Sequence, residues 1–154
     1  MTHHTLDTNV IINLKNLYAR DVFGAVWDKM EDAIANGELC ICNMIHDELN
    51  RGGDDLYKWA KDQTGFVCDL TDQEAQLAAD ISNAHPGWVQ QQQNAGDPFI
   101  VAHASIEGSD LVTNETRKGA GTIDKNMKVP NVADEHNVTS MNFLDFLRAK
   151  GWRF

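Results

Sequence analysis

The sequence predicts an α/β fold in which a mainly parallel sheet is covered by helices on both faces. Short apolar segments that suit strands alternate with longer segments whose apolar residues recur every three or four positions, as in amphipathic helices. Such alternation is typical of βαβ units, in which the strands run parallel. The 154 residues, 42% of them hydrophobic, are enough for a single domain (residues 1–154) with its own core.

The first half of the chain holds most of the predicted elements. Thr71 and Glu74 suit a capping box, Asn43 is a candidate helix cap, and Gly37 suits the position just after a helix. Apolar periodicity and these signals place strands at 3–7, 38–42 and 66–70 and helices at 8–18, 21–36, 44–51, 55–62 and 72–84.

The second half begins with a connection, residues 85–96, that contains Pro, Gly and a run of Gln. Asn142 is the predicted cap of the last helix, which should end near Gly151. Between them we predict a helix at 97–107, a strand at 110–113, a polar, mobile loop at 114–128, a short helix at 129–136 and a final strand at Val138 and Thr139.

The charge balance argues against a nucleic-acid binder. The chain carries 13 basic and 23 acidic residues, for a formal net charge of −10, and polyanions repel one another. Bound divalent metal or a local concentration of basic residues would remove the objection. Four late basic residues could contact phosphates or form only a solvated loop: Arg117, Lys118, Lys125 and Lys128.

Other features indicate a cytoplasmic protein with no membrane segment. No apolar run approaches the roughly 20 residues that a membrane span needs, and the N-terminus lacks the regions of a signal peptide. Cys40, Cys42 and Cys68 are expected to be reduced thiols.

Four carboxylates occupy special places in the predicted fold. Asp7 ends the first strand, Asp97 begins a helix, and Glu115 follows the strand 110–113. Glu48 lies beside Ile45 on the inward face of its helix, whereas Asp47 points to solvent. Carboxylates grouped at the carboxyl edge of a sheet suit Mg²⁺ or Mn²⁺, either of which can activate water against a phosphate.

Each carboxylate also has a simpler explanation. Asp97, which precedes Pro98, and Asp7 could each cap a helix. Glu48 could be an ordinary surface residue of a helix, and Glu115 an ordinary loop residue. The hypothesis of a metal site therefore depends on their joint placement.

Four motifs resemble those of the PIN-domain ribonucleases, including the VapC-like toxins or a closely related PIN-like branch. They are Leu6-Asp7-Thr8-Asn9-Val10, Asp47-Glu48-Leu49, Gly96-Asp97-Pro98-Phe99-Ile100-Val101-Ala102 and Leu111-Val112-Thr113-Asn114-Glu115. Their order and spacing match over nearly the whole chain. The resemblance implies a three-layer α/β/α sandwich and hydrolysis of RNA through bound Mg²⁺ or Mn²⁺.

The resemblance also implies residue roles. Asp7, Glu48 and Asp97 would bind the metal, and Thr8, Asn9 and Thr113 would orient ligands or water. Glu115 stands where the family usually has Asp, so its longer side chain could act through water. Asp134 could add a further acid.

The leading hypothesis is a metal-dependent endonuclease that cleaves single-stranded RNA and is, by resemblance, the toxin of a bacterial toxin–antitoxin pair. An antitoxin protein and a homodimer are the possible partners. An inactive PIN-like binding module is the main alternative. A phosphatase of the haloacid-dehalogenase kind is the weaker one, since it needs Asp where Asn9 stands. Minor candidates are a general base at His46 or His103 and base stacking by Trp59, Trp88 or Trp152.

Overall fold

A five-stranded parallel sheet forms the centre of this computed structural model, which describes residues 3–90 and 94–154. The strand order is β3-β2-β1-β4-β5, and every pairing is parallel. The strands are β1 (His4–Leu6), β2 (Leu39–Cys42), β3 (Val67–Cys68), β4 (Asp110–Val112) and β5 (Ser140–Met141). The predicted parallel sheet is confirmed.

Helices cover both faces of the sheet. They are α1 (Thr8–Leu17), α2 (Gly24–Ala35), α3 (Asn43–Leu49), α4 (Asp55–Asp62), α5 (Asp72–Ala84), α6 (Asp97–Glu107), α7 (Val129–Glu135) and α8 (Phe143–Lys150). Helix α6 packs on β1, β2 and β4 and also contacts α5 and α7, whereas α1, α3 and α4 form another packed group. The three-layer α/β/α arrangement is therefore as expected.

The core lies between the sheet and these helices. All four residues of β2 are buried, as expected for a central parallel strand covered on both sides. Trp88 is fully buried, Trp59 packs edge-on against Trp27 at 5.3 Å between ring centroids, and Trp152 packs against Phe146 at 5.5 Å. Packing thus accounts for the three indoles that were minor candidates for base stacking.

Several local signals are confirmed. Thr71 and Glu74 form both hydrogen bonds of the capping box at α5, at 3.1 and 2.6 Å. Asn142 caps α8 by accepting the backbone N–H of Asp145 at 2.8 Å. Gly151 follows α8 in the left-handed conformation that favours glycine at this position.

Several predicted boundaries are wrong; the strand predicted at 66–70, for example, covers only Val67–Cys68. Helix α2 begins at Gly24, because the N–H groups of Val22 and Phe23 bond back to Ala19 in a turn. Asn43 is the first residue of α3 and not its cap, since Cys42 occupies the cap position. The last strand lies at 140–141 and not at 138–139, because the chain first closes α7 with a hydrogen bond from the N–H of Val138 to Ala133.

The segment 114–128 is tied to the body of the protein at several points, although a mobile loop was expected. The indole N–H of Trp88 donates to the carbonyl of Met127 at 3.1 Å. His85 lies 2.8 Å from Asp124 and 2.7 Å from Glu135, so it joins this segment to α7. Residues 91–93 of the predicted connection lie outside the described residues. Among those described, no helix is both long and apolar enough to span a membrane.

Candidate metal centre

Asp7 lies at the carboxyl end of β1 and caps α1. Its Oδ1 accepts the backbone N–H of Thr8 at 2.7 Å, and its Oδ2 accepts the hydroxyl of Thr113 at 2.8 Å. The amide of Asn9 donates to the same Oδ2 at 3.2 Å. Asp7 is therefore a helix cap, as the simpler explanation held, and is also a buried carboxylate held from three sides.

Asp97 is the first residue of α6 and lies on the helix face that packs toward the sheet. The cap position belongs to Gly96, and the Asp97 side chain forms no capping hydrogen bond. The capping explanation for Asp97 is therefore wrong. With 8% of its surface exposed, Asp97 is a buried acid at a helix N-terminus, where the backbone dipole favours negative charge.

Glu115 completes a group with Asp7 and Asp97. One carboxylate oxygen from each of the three residues lies within 4.8 Å of the other two. Glu115 is half-buried, and its Oε2 accepts the backbone N–H of Val129 at 3.3 Å. Three segments far apart in sequence thus meet where β1 and β4 end, which is the edge at which open α/β sheets bind ligands.

Glu48 lies beside this group but outside its closest set. Its Oε2 accepts the hydroxyl of Thr8 at 3.1 Å, and its Oε1 is buried with no hydrogen-bond partner among the residues described. The same oxygen lies against the Cα of Gly96, where a Cβ atom would collide with it. Asp47 is exposed, so the prediction that Glu48 and not Asp47 points inward is confirmed.

Burial raises the pKa values of all four carboxyl groups, and repulsion from neighbouring acids adds to the shift for Asp7, Glu48 and Asp97. Burial, with the charge of Glu115, raises the pKa of Asp7 to about 7, although its hydrogen bonds oppose the shift. Burial and the charges of Asp7, Glu115 and Glu48 raise the pKa of Asp97 well above its usual range. Burial also raises the pKa values of Glu48 and Glu115.

This charge arrangement fits a divalent cation. Two unit charges 4.8 Å apart repel by about 3.5 kcal/mol at an effective dielectric constant of about 20. Three ionised carboxylates at this spacing would repel one another in three pairs, so a nearby positive charge favours their ionised forms. The donor atoms are hard carboxylate oxygens, which suit Mg²⁺ and Mn²⁺, and the unpartnered Oε1 of Glu48 adds a further donor beside them.

A network of polar side chains holds the group in place. The amide of Asn9 also lies 3.3 Å from the hydroxyl of Thr113, which accepts the backbone N–H of Glu115 at 3.2 Å. Asn9 accepts the N–H of Asn114 at 3.0 Å, and Asn114 accepts the N–H of Phe143 at 3.1 Å. Thr8, Asn9 and Thr113 thus contact the carboxylates, and only Asn114, which lies between Thr113 and Glu115, was not predicted from the sequence.

The predicted phosphate-contacting residues fall in two places. Arg117 binds Asp134 through two hydrogen bonds of 2.6 and 2.8 Å at the surface. Asp134 is therefore an ion-pair partner and not an additional acid of the group. Three lysines line one groove of about 540 Å³: Lys118, Lys125 and Lys128. Lys128 directly precedes Val129, whose N–H binds Glu115, and its charge opposes the raised pKa values of Asp97 and Glu115.

A second depression, of about 330 Å³, adjoins the acids at Glu48. Thr8 and Glu48 line it, together with Lys15 and Arg51. Neither basic residue was predicted from the sequence, because only proximity to Glu48 distinguishes them from other surface cations. His46 stacks on Tyr57 at 3.9 Å between ring centroids, and its Nε2 lies 3.0 Å from the Tyr57 carbonyl, so packing explains this histidine.

Comparisons with known proteins agree with this fold. The sequence profile of a family described as "Domain of unknown function (DUF4411)" matches residues 4–154. No curated protein sequence matches the chain.

The solved structures that share the fold include the following two. The crystal structure of VapBC2 from Rickettsia felis bound to a DNA fragment from their promoter contains a chain of 14% identity and TM-score 0.57, aligned over 92% of this chain and 99% of that one. The crystal structure of FitAcB from Neisseria gonorrhoeae contains a chain of 15% identity and TM-score 0.51, aligned over 90% of this chain and 96% of that one. The expected VapC-like PIN fold is confirmed.

Proposed function

The chain belongs to the DUF4411 family, and from this membership, the PIN-like fold and the grouped carboxylates we propose that it is a metal-dependent endoribonuclease acting on single-stranded RNA. One observation carries the proposal. Asp7, Asp97 and Glu115 come from distant segments, yet their oxygens lie within 4.8 Å of one another at the carboxyl edge of the sheet. A protein that buried these acids without a cation would be destabilised.

We propose that Asp7, Asp97 and Glu48 hold Mg²⁺ or Mn²⁺, with Glu115 contributing directly or through water. When bound, such an ion lowers the pKa of water and neutralises charge that develops on the phosphate. Glu115 is closer to Asp7 and Asp97 than its departure from the family motif suggested, which supports a direct role. Glu48 would approach the same ion from the flank, through its unpartnered Oε1.

The surrounding residues orient these ligands, and their hydrogen bonds to Asp7 favour its ionised form. The N–H of Thr8 and the hydroxyl of Thr113 donate to Asp7, so its oxygens cannot rotate freely. The hydroxyl of Thr8 also holds Glu48, which couples two acids through one residue. A site of this kind is preorganised, and less free energy is lost in ordering it when substrate binds.

Basic residues on either side of the acids would receive the RNA backbone. Lys128, in the groove with Lys118 and Lys125, lies on the Glu115 side. Lys15 and Arg51 lie on the Glu48 side. A strand crossing between them would place a phosphate over the carboxylates, and the local positive charge would offset the overall charge of −10.

We further propose that the protein is the cytoplasmic toxin of a toxin–antitoxin pair. The VapC-like motifs support this role, and a likeness in fold to a chain of VapBC2, which was crystallised with a DNA fragment from their promoter, is consistent with it. An antitoxin would act by covering the acids or the basic flanks. A two-fold homodimer is a further expectation for this kind of protein.

The direct test is cleavage of single-stranded RNA with Mn²⁺ by the wild type, Asp97→Asn and Asp47→Asn. Asp97→Asn removes one charge from the buried group, whereas Asp47→Asn removes one from the exposed neighbour of Glu48. We expect cleavage by the wild type and Asp47→Asn, and its loss in Asp97→Asn. Equal activity in all three would refute the assignment.

The same proteins separate the alternatives. Calorimetry that detects no Mn²⁺ binding at millimolar metal would support an inactive binding module, which the charge of −10 favours. A phosphatase of the haloacid-dehalogenase kind would instead form an aspartyl-phosphate on Asp7. In the structure Asn9 donates a hydrogen bond to Asp7, so a neutral amide occupies the position where that class needs an acid.

A further inference from the structure

A second group of ligand-type side chains lies inside the fold, away from the acids. Cys40 on β2, Cys68 on β3 and His103 on α6 each place one sulfur or ring nitrogen within 4.8 Å of the other two. The Cys40 Sγ lies 3.2 Å from the His103 Nε2. Because a helix rises about 1.5 Å per residue, His103 lies about 9 Å along α6 from Asp97, so the two groups are separate.

The histidine of this group is oriented by a buried carboxylate. His103 Nδ1 lies 2.6 Å from Glu74 Oε1, and both side chains are almost completely inaccessible to solvent. The other oxygen of Glu74 accepts the backbone N–H of Thr71, so the carboxylate itself is fixed. A proton on Nδ1, donated to Glu74, leaves the lone pair of Nε2 directed toward the Cys40 sulfur.

We propose that Cys40, Cys68 and His103 form a second metal site, which binds Zn²⁺. Two thiolates and a neutral imidazole are a soft donor set that suits zinc, in contrast to the hard oxygens of the acidic group. The contact from Glu74 to the other ring nitrogen is the outer contact that zinc-binding histidines usually have. The fourth position would be taken by water.

Charge and access are compatible with a bound ion. Two thiolates balance the charge of Zn²⁺, so the ion and its sulfur ligands together would carry no net charge. Glu107, an exposed carboxylate, lies within 4.8 Å of atoms of Glu74 and His103 and adds negative potential at the entrance. Cys68 is only partly buried and would be the side from which the ion enters.

The site also has a structural consequence. Strand β3 contains two residues and lies at the edge of the sheet, next to β2. A metal ion shared by Cys40, Cys68 and His103 would tie this short strand to β2 and to α6. The second thiol of the site thus comes from the neighbouring strand and not from Cys42, which lies on β2 but outside this group.

Cobalt gives the most direct test, because thiolate ligands give Co²⁺ a charge-transfer band in the near ultraviolet. The full chain is stripped with chelator, kept reduced and titrated with Co²⁺ alone. We expect a thiolate band and tetrahedral visible bands at one ion per chain, which added Zn²⁺ abolishes. Absence of the thiolate band in the folded, reduced chain would overturn the proposal.

Three variants make the test specific. Cys68→Ser changes the most exposed ligand and should weaken cobalt affinity by about tenfold or more, whereas Cys42→Ala, a thiol outside the group, should leave it unchanged. Near-ultraviolet circular dichroism confirms folding of each variant. A thiolate band that persists at full affinity in Cys68→Ser would contradict the assignment. Asp97→Asn should keep the band even where it loses RNA cleavage, so this proposal and the proposed function can fail separately.

Discussion

Gly96 allows Glu48 to approach the acidic group, and its replacement by alanine should displace that carboxylate. The backbone of Gly96 has an ordinary negative φ of −78°, so alanine meets no conformational barrier. Its Cβ, however, would overlap Glu48 Oε1 and lie 2.9 Å from Cδ of the same residue. Because the end of Glu48 is flexible, we expect the side chain to move and the fold to survive.

The size of the effect follows from the contacts that are lost. Displacement breaks the hydrogen bond from Thr8 to Glu48, and bonds to charged groups contribute about 1.5–3 kcal/mol. Replacing glycine restricts the unfolded chain and returns about 0.4–1 kcal/mol. The free energy of unfolding should therefore fall by about 1–2 kcal/mol, a drop in Tm of about 2–8 °C at this chain length.

The change in metal binding is the more specific result. Loss of one ligand should weaken Mn²⁺ binding by about tenfold or more, equivalent to about 1.4 kcal/mol. At a fixed Mn²⁺ concentration well above the dissociation constant, the rise in Tm that Mn²⁺ causes should shrink by about 3–6 °C. Differential scanning fluorimetry with and without Mn²⁺ measures both quantities, and RNA cleavage should fall in parallel.

Gly24→Ala is the matched control. Gly24 begins α2, has open space where an added Cβ would lie, with no heavy atom within 4 Å, and is outside the acidic group. The substitution should be neutral or stabilising by up to about 1 kcal/mol and leave the Mn²⁺ effect unchanged. An unchanged Mn²⁺ effect in Gly96→Ala, together with full cleavage activity, would refute the assignment of Glu48 to the metal site.

Three further predictions concern Asp7 and its contacts. The pKa of Asp7 rises from 3.8 in the unfolded chain to about 7 in the folded, metal-free protein. Between these pH values the folded state therefore holds a proton that the unfolded state has released. The stability that this proton contributes is complete below pH 3.8 and is lost as pH rises through about 7. In thermal unfolding across this range, Asp7 should contribute a fall in Tm as pH rises, and saturating Mn²⁺ should reduce that fall. A Tm at pH 8 that Mn²⁺ leaves unchanged would contradict the prediction. Asp7→Asn removes the buried charge, so it should raise the Tm of the metal-free protein at about pH 8 while RNA cleavage is lost; a lower Tm there would count against repulsion among the acids. Thr113→Val removes a donor to Asp7, so urea unfolding should show a loss of about 1–3 kcal/mol, whereas the exposed Thr139→Val should change stability by less than about 0.5 kcal/mol.

Local patterns were sufficient to predict most of the fold and the four acids. Strand and helix periodicity placed Asp7 and Glu115 at strand ends and turned Asp97 and Glu48 inward, because each of these placements depends on neighbours within one or two helical turns. The capping box at Thr71 is a signal of the same local kind.

Contacts between distant segments could not be predicted in this way. Whether Glu115 or Glu48 lies closer to Asp7 depends on how the loop after β4 and helix α3 pack, and periodicity carries no information about that. The pairing of Arg117 with Asp134, which removed a candidate acid, joins residues on different elements. Similarly, Cys40 and Cys68 come together only because β2 and β3 are neighbours in the sheet, which the strand order decides.

A crystal structure of the protein soaked in Mn²⁺, with the ion located by its anomalous scattering, tests the central claim most directly. We expect an ion within about 2–2.5 Å of oxygens from both Asp7 and Asp97, with Glu48 and Glu115 bound directly or through water. Mn²⁺ found only elsewhere on the molecule, with the Asp7 and Asp97 oxygens left uncoordinated at saturating metal, would contradict the account.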